Sequence, residues 1–178
     1  MIQANFLKNI FILIAFLLPF FFTNYLTPYV IKIASRFKIH DLPDQRKQHK
    51  KPIVRLGGVA ISLSFFTSIF LLTKLGIFNN DYFAYNSYIK VIIISSFFSF
   101  VLGFIDDLIT LAPWTRLAVQ TGIACYMWQE GIAISKIDTL GIFNHTNYII
   151  LPTFLSFIII ILWIVGITNA LNWIDGID

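Results

Sequence analysis

Two adjacent carboxylates, those of Asp106 and Asp107, are the groups in this sequence best suited to chemistry. They follow an apolar run, residues 91–105, that carries no charge. A carboxylate at the centre of a bilayer costs several kcal/mol, so we expect this pair at the membrane edge or facing a watery cavity. Because two neighbouring anions repel each other, a cation or a proton donor between them would relieve the repulsion.

Magnesium is the cation that this pair predicts. It favours one or two carboxylates together with water and substrate phosphate, rather than a full cage of protein ligands. A structural alternative is that Asp106 and Asp107 only finish one helix and cap the next, since Asp is a favoured N-cap. Acidic residues at the membrane edge are more often functional than structural. The other polar segments of the chain also favour a functional role for this pair.

A second group of residues, basic side chains followed by two glycines, could bind phosphate. Lys50, Lys51 and Arg55 precede Gly57 and Gly58, which begin a predicted helix. Glycine lets the backbone approach an anion closely, and a helix N-terminus offers unpaired N–H groups. The alternative is a tether to lipid headgroups, because basic clusters beside a membrane span attract anionic lipid.

A third polar segment lies at the end of the chain, where Asn169, Asn172, Asp175 and Asp178 are spaced by three residues each. On a helix, this spacing keeps the first three on one slowly drifting face. A polar ladder that leaves an apolar helix is unsuited to lipid, so we expect it to face the site. The alternative is helix capping together with a turn at Gly176.

The amino-acid composition predicts the environment of these three polar segments. The chain has 57% hydrophobic, 17% aromatic and only 12% charged residues, which is far more apolar than a soluble domain and predicts an integral membrane protein. A single cysteine, Cys125, excludes an internal disulfide and a metal cluster built from thiols.

Five apolar stretches are predicted to span the membrane and position the polar segments. They are residues 10–30, 57–75, 89–105, 114–128 and 148–167. Pro113 suits the first turn of the fourth span, which is short for a bilayer. Residues 130–147 suggest strands and turns, so a small outer β-hairpin is included. The predicted fold class is an all-α integral membrane protein with about five transmembrane helices.

The charge pattern orients these spans. Eight of the thirteen Lys and Arg residues lie in residues 32–55, which we interpret as a short loop that is cytoplasmic by the positive-inside rule. Alternation then places the N-terminus outside and brings residues 106–116 and 169–178 to the cytoplasmic face. The three polar segments are therefore predicted to form one site there.

Three motifs, in this order, resemble a known family. They are His49-Lys50-Lys51-Pro52 with Arg55-Leu56-Gly57-Gly58, Gly103 to Asp107 with Arg116-Leu117 and Gln120, and residues 169–178. Together they resemble the polyprenyl-phosphate N-acetylhexosamine-1-phosphate transferases of glycosyl transferase family 4, over about residues 27–178. The Arg-Leu-Gly-Gly form looks more like the undecaprenyl-phosphate N-acetylglucosamine-1-phosphate transferase branch than the phospho-N-acetylmuramoyl-pentapeptide transferase branch.

The resemblance implies a reaction. A sugar 1-phosphate, that of N-acetylglucosamine for this branch, would pass from a UDP-sugar to undecaprenyl phosphate with release of UMP and a need for Mg²⁺. This would be the first membrane step of cell-envelope polysaccharide synthesis, at the cytoplasmic face of the inner membrane. The implied partners are the two substrates and membrane lipids, with no nucleic acid; a homodimer is left open.

The resemblance also implies residue roles. Asp106 and Asp107 would bind the metal, or one of them would act as base for the lipid phosphate, and these roles stay open. The further implied contacts are metal binding by Asp178 and nucleotide or sugar-phosphate binding by Asn172, Asp175, Asp178, Lys50, Lys51, Arg55, Gly57 and Gly58. Many relatives carry Lys where this chain has Arg116, so a cation is kept but a role for a neutral amine is in doubt.

Two alternatives to a transferase belong to other classes of protein. A transporter or channel subunit needs acids at mid-span depth, and no predicted span has one there. A non-catalytic truncated fragment is the second, because family members continue well past the position of Asp178. We expect residues 1–178 to be a single transmembrane domain, the N-terminal part of a longer transferase domain, and to be inactive alone.

Overall fold

The computed structural model describes residues 2–41, 53–54, 56–76, 86–138 and 148–175. Within these ranges the chain forms α1 (Ile2–Arg36), β1 (His40–Asp41), β2 (Ile53–Val54), α2 (Gly57–Lys74), α3 (Asn86–Ile109), α4 (Pro113–Gln129), β3 (Lys136–Asp138), β4 (Tyr148–Ile150) and α5 (Thr153–Asp175). The predicted all-α membrane fold is confirmed.

Four helices of the described residues are long and apolar enough to cross a membrane. They comprise Ile10–Arg36, Gly57–Lys74, Tyr88–Ile109 and Thr153–Trp173. The remaining helix, α4, has 17 residues and is about 25 Å long at 1.5 Å per residue. It is therefore shorter than the hydrocarbon core of a bilayer, which is about 30 Å thick. The sequence predicts that this span is short, and Pro113 lies in its first turn as expected.

The helix ends differ from the prediction at two places. Helix α1 continues through Lys32 to Arg36, so the first part of the supposed basic loop is helical; cations at a helix C-terminus interact favourably with the helix dipole. Residues 148–150, predicted as the start of the last span, form strand β4 instead, and α5 begins only at Thr153. Pro152 precedes it, and proline disfavours helix in the residue before it.

The predicted hairpin between α4 and α5 is present. Strands β3 and β4 pair antiparallel, with Lys136 opposite Ile150 and Asp138 opposite Tyr148. The Lys136 ammonium lies 5.0 Å from the centre of the Tyr148 ring, a cation–π contact across the two strands. The second strand follows the predicted range of 130–147 rather than lying within it.

Helices α1 and α2 pack closely through small side chains. Ala34 and Ala60 are buried where the two helices meet, in a cluster with Val30 and Leu56. Phe104 of α3 packs against the same cluster, two residues before Asp106. The C-terminal end of α1, the N-terminal end of α2 and the C-terminal end of α3 therefore meet at one end of the helices.

The buried face of α2 also carries serines whose hydroxyls are satisfied within the helix. Ser64 donates to the carbonyl oxygen of Ala60 at 2.6 Å and Ser68 to that of Ser64 at 2.7 Å. Large apolar side chains on the outer surface, such as Phe16 and Phe154, are instead mostly exposed. Because exposed apolar surface of this extent is unfavourable in water, it is explained by contact with lipid.

Candidate functional site

The two predicted carboxylates lie in the last turn of α3. The sequence suggested that they end the helix, but it continues to Ile109, so Asp106 and Asp107 have helical neighbours on both sides. The last turn of α3 contains no basic residue. Anions at a helix C-terminus oppose the helix dipole, so this placement needs a cation from elsewhere in the fold.

Arg116 provides that cation. Its guanidinium donates a hydrogen bond to Oδ2 of Asp106 at 3.0 Å, and the two side chains are 29% and 21% exposed. Arg116 lies one turn into α4, whose start is set by Pro113. The sequence analysis placed these two residues in one motif but did not predict their contact. The ion pair joins the end of α3 to the beginning of α4.

The turn between α3 and α4 is held by the same carboxylate. Oδ1 of Asp106 accepts a hydrogen bond from the backbone N–H of Leu111 at 2.7 Å. Thr110, between them, has φ of 51°, a left-handed conformation that is exceptional for a β-branched residue. Sequence reasoning missed this contact, because a backbone N–H carries no residue-type signal.

The polar ladder of α5 begins against α4. Gln120 is buried, and its Oε1 accepts a hydrogen bond from the amide of Asn169 at 2.7 Å. The same Asn169 amide donates to the carbonyl oxygen of Val165 at 2.8 Å. The sequence signal for this contact is a glutamine within an apolar segment, because a buried glutamine side chain needs a polar partner.

The remaining ladder residues follow along α5. Asn172 is exposed one turn beyond Asn169, and Asp175 is the last residue of the helix. Asp178 lies outside the described residues. Helix α5 therefore carries Asn169, Asn172 and Asp175, and the Gln120–Asn169 hydrogen bond attaches the first of them to α4, the helix that holds Arg116.

The predicted phosphate site is described only in part. Gly57 and Gly58 are the first residues of α2 and are exposed, and among the described residues nothing lies within 4 Å of where a Cβ would stand on either. Leu56 gives this helix no side-chain cap, so its first N–H groups are suited to an anion. Lys50, Lys51 and Arg55 lie outside the described residues.

Asp106 and Asp107 are carboxylates of the described residues that could hold a metal ion. Among the described residues, no group of three or more His, Cys, Asp or Glu side chains is placed to hold a metal. Mg²⁺ needs only one or two carboxylates beside water and phosphate, and the Asp106–Asp107 pair meets that requirement. These carboxylates, the first turn of α2 and the ladder of α5 all belong to helix ends that converge through the contacts described above.

Several proteins similar in sequence to this chain are named as transferases. The chain is 31% identical, over 94% of its length, to the probable undecaprenyl-phosphate N-acetylglucosaminyl 1-phosphate transferase of Bacillus subtilis. It is 28% identical over 91% of its length to the undecaprenyl-phosphate alpha-N-acetylglucosaminyl 1-phosphate transferase of Thermotoga maritima. A phospho-N-acetylmuramoyl-pentapeptide-transferase of Streptococcus pyogenes is 27% identical over 93% of it.

The coverage of these relatives is partial. The chain spans 43% of the Bacillus subtilis protein, 44% of the Thermotoga maritima protein and 51% of the Streptococcus pyogenes protein. No solved structure matches the chain. The glycosyl transferase family 4 model matches residues 89–178, which is half of the chain and includes the Asp106–Arg116 and Gln120–Asn169 contacts. This chain therefore belongs to glycosyl transferase family 4.

Proposed function

We propose that this protein takes part in the transfer of N-acetylglucosamine 1-phosphate from a UDP-sugar to undecaprenyl phosphate. A phosphate oxygen of the lipid attacks the phosphorus next to the sugar, the phosphoanhydride bond breaks and UMP leaves. The observation that carries the proposal is the acid pair in the last turn of α3, joined through Arg116 and Gln120 to α4 and α5, in a chain of this family.

The metal proposed for this site is Mg²⁺. When bound, it would neutralise charge on the donor and acceptor phosphates as the new bond forms. The residues proposed to hold it belong to the Asp106–Asp107 pair, joined by Asp178. Both members of the pair lie at a helix end rather than at mid-span, where water and a phosphate group can reach them.

The other residues of the site have binding roles in this proposal. Lys50, Lys51 and Arg55 would pair with phosphate oxygens, where a cation gives a short, strong hydrogen bond. The first turn of α2, at Gly57 and Gly58, would add backbone N–H donors to the same anion. Asn172 and Asp175, on the ladder of α5, would contact the nucleotide.

The proposed location is the cytoplasmic face of the inner membrane. The basic residues Lys32, Arg36 and Lys38 lie at the C-terminal end of α1, the same end at which α2 begins and α3 ends. Lys and Arg concentrate on the cytoplasmic side of membrane proteins. A UDP-sugar is a cytoplasmic metabolite, so this face is the one from which the donor would arrive.

A transporter function has no comparable support. In the described residues, each acidic residue lies in the last turn of a helix or outside the helices. An ion path across the membrane needs such groups at mid-span depth. The acidic residues of the described ranges instead lie at helix ends or outside the helices, as a transferase site at the membrane surface requires.

The experiment that tests the function measures UMP release. The complete in-frame product of the gene that encodes these residues is purified in detergent and supplied with undecaprenyl phosphate, Mg²⁺ and a UDP-sugar. We expect release with UDP-N-acetylglucosamine, and none when either the lipid phosphate or Mg²⁺ is omitted. UMP release that continues without the lipid phosphate would contradict a transfer reaction.

The 178-residue chain is tested in the same assay. We expect it to release no UMP by itself, because it spans less than half the length of the Bacillus subtilis relative and a catalytic group misplaced by about 1 Å loses about a hundredfold in rate. Sustained release by the 178 residues would show instead that these helices hold a complete site.

A further inference from the structure

We infer that the hairpin of β3 and β4 is a membrane-contact surface: its Ile137 and Ile149 side chains enter the lipid at the side of the membrane opposite the acid pair. The occupant of this face is a lipid surface rather than another protein segment. The inference rests on the membrane fold of the chain and is independent of the proposed transfer reaction, so either can fail alone.

The hairpin is joined to the membrane boundary at both of its ends. On one side, the ring of Tyr88 lies 3.5 Å from where a Cβ would stand on Gly131, the second residue after α4. Tyr88 begins the apolar span of α3, and tyrosine is enriched at membrane–water interfaces. On the other side, β4 ends at Ile150 and the apolar span of α5 begins at Thr153. Both connections to the hairpin therefore leave from the boundary of the bilayer.

The base of the hairpin is held close to this boundary by pairing that continues past the strands. The N–H of Leu151 donates to the carbonyl oxygen of Ser135 at 2.9 Å, one residue beyond the Lys136–Ile150 pair. Leu151 is two residues before Thr153, and two residues of extended chain reach about 7 Å. The headgroup region is itself about 5–7 Å deep on each side of a bilayer. The base of the hairpin therefore lies at headgroup depth.

The side chains of the hairpin separate into an apolar face and a mixed face. Successive side chains of a strand point to opposite sides, and directly paired residues share a side. Ile137 pairs with Ile149, so one face consists of two isoleucines. The other face carries the flanking pairs, and on it the Lys136 ammonium lies 5.0 Å from the centre of the Tyr148 ring. The hairpin is therefore amphipathic, with its cation on the side away from the isoleucines.

The isoleucine face is only partly covered by the residues that the structure describes. Ile137 and Ile149 are 45% and 44% exposed. A two-stranded hairpin is marginally stable in water, and exposed isoleucines make its contact with water less favourable still. The lipid-facing surface of the helices begins close by, since Phe154 in the first turn of α5 is 73% exposed. Lipid that covers Phe154 can therefore extend over the isoleucine face.

The length of α4 gives a physical reason for this contact. A helix shorter than the hydrocarbon core is accommodated by thinning of the bilayer or by anchoring of the residues that flank it. With 17 residues, α4 is about 25 Å long, against a core of about 30 Å. Its N-terminal end is fixed to α3 by the Arg116–Asp106 pair, so the deficit falls on the C-terminal end. The hairpin follows that end, and its apolar face supplies the missing depth.

The test places a nitroxide on single cysteines of the complete in-frame gene product, in nanodiscs of phosphatidylethanolamine and phosphatidylglycerol. All other cysteines, Cys125 among them, are replaced by serine. Ile137→Cys and Ile149→Cys report on the apolar face, and Lys136→Cys and Asp138→Cys are the matched controls on the other face of the hairpin. Electron paramagnetic resonance compares how often each label collides with oxygen, which concentrates in lipid, and with a neutral nickel chelate, which stays in water.

We expect the ratio of oxygen to chelate collisions to be several-fold higher at positions 137 and 149 than at positions 136 and 138. The alternation along β3 is the decisive feature, because three neighbouring residues at the same depth differ only in the face to which they belong. Should Ile137→Cys fail to fold, Ile149→Cys decides, because the two residues form one pair of the same face.

Other collision patterns overturn the inference. Equal ratios at all four positions, whichever reagent collides more, would mean that neither face prefers lipid. Few collisions with both reagents at positions 137 and 149 would mean that protein covers the apolar face, either the rest of the gene product or a second copy of it. A protein that shows the alternation but releases no UMP would count against the proposed function alone.

Discussion

At the residue scale, the site depends on a few groups whose types the sequence displays. Asp106, Asp107 and Arg116 could be singled out because charged residues next to apolar runs are rare in a chain of this composition. The contacts of Asp106 could not be predicted, because they depend on which carboxylate oxygen meets which donor. The N–H of Leu111 and the positive φ of Thr110 follow from the path of the backbone, which residue types alone do not specify.

The strained turn offers a prediction at this scale. Thr110→Gly should stabilise the protein by about 1 kcal/mol, because a left-handed conformation costs a residue with a Cβ about 1–2 kcal/mol and the greater freedom of glycine in the unfolded chain cancels part of the gain. Thr115→Gly, inside α4, is the matched control and should destabilise. Thermal unfolding in nanodiscs measures both. A loss of stability in Thr110→Gly would contradict the strain.

At the element scale, hydrophobic runs predict the existence of each helix and polar pairing decides where some of them end. The start of α5 was misassigned because Tyr148, Ile149 and Ile150 are apolar and extend the span when read alone. Only their pairing with β3 shows that they are strand residues. The extension of α1 to Arg36 was missed for a different reason: basic residues indicate the cytoplasmic side without distinguishing a loop from a helix end.

The contact between α4 and α5 gives a prediction at this scale. Gln120→Leu should destabilise the protein by about 1 kcal/mol, a typical value for a hydrogen bond between membrane helices, because Asn169 loses its partner on α4. Gln129→Leu, an exposed position at the end of the same helix, should have little effect. Thermal unfolding compares the two. Equal effects would mean that the Gln120–Asn169 bond does not hold α5 in place.

Activity should respond to the same change. If the Gln120–Asn169 bond sets the rotation of α5, Gln120→Leu should reduce kcat for UMP release at temperatures well below unfolding, since Asn172 and Asp175 follow Asn169 along the helix. A variant that unfolds earlier yet keeps its full kcat would show that the bond supports stability only.

At the scale of the whole molecule, the order and orientation of the helices bring distant sequence segments together. Parity and charge predicted that the end of α3, the start of α2 and the ladder of α5 share one face. The packing of Phe104 against the buried cluster at the α1–α2 contact agrees with this arrangement, as does the Gln120–Asn169 bond. Distances within the site could not be predicted, because they depend on side-chain packing between helices.

The orientation can be tested by labelling. In a Cys125→Ser background, Lys136→Cys in the hairpin should react with an impermeant maleimide in intact cells. Lys38→Cys, at the end of α1, should react only after the membrane is opened, because basic residues favour the cytoplasmic side. Both lysine positions are exposed, so access decides the outcome. Labelling of both from outside would overturn the proposed orientation.

The central claim is that the acid pair at the end of α3 serves magnesium-dependent sugar-phosphate transfer. The most direct measurement follows radiolabel from UDP-N-acetylglucosamine into the undecaprenyl lipid across a magnesium titration, with the complete in-frame gene product and its Asp107→Asn variant. We predict saturable, magnesium-dependent transfer by the parent and a loss of at least about a hundredfold in the variant. Near-parental transfer by Asp107→Asn at every magnesium concentration would contradict the claim.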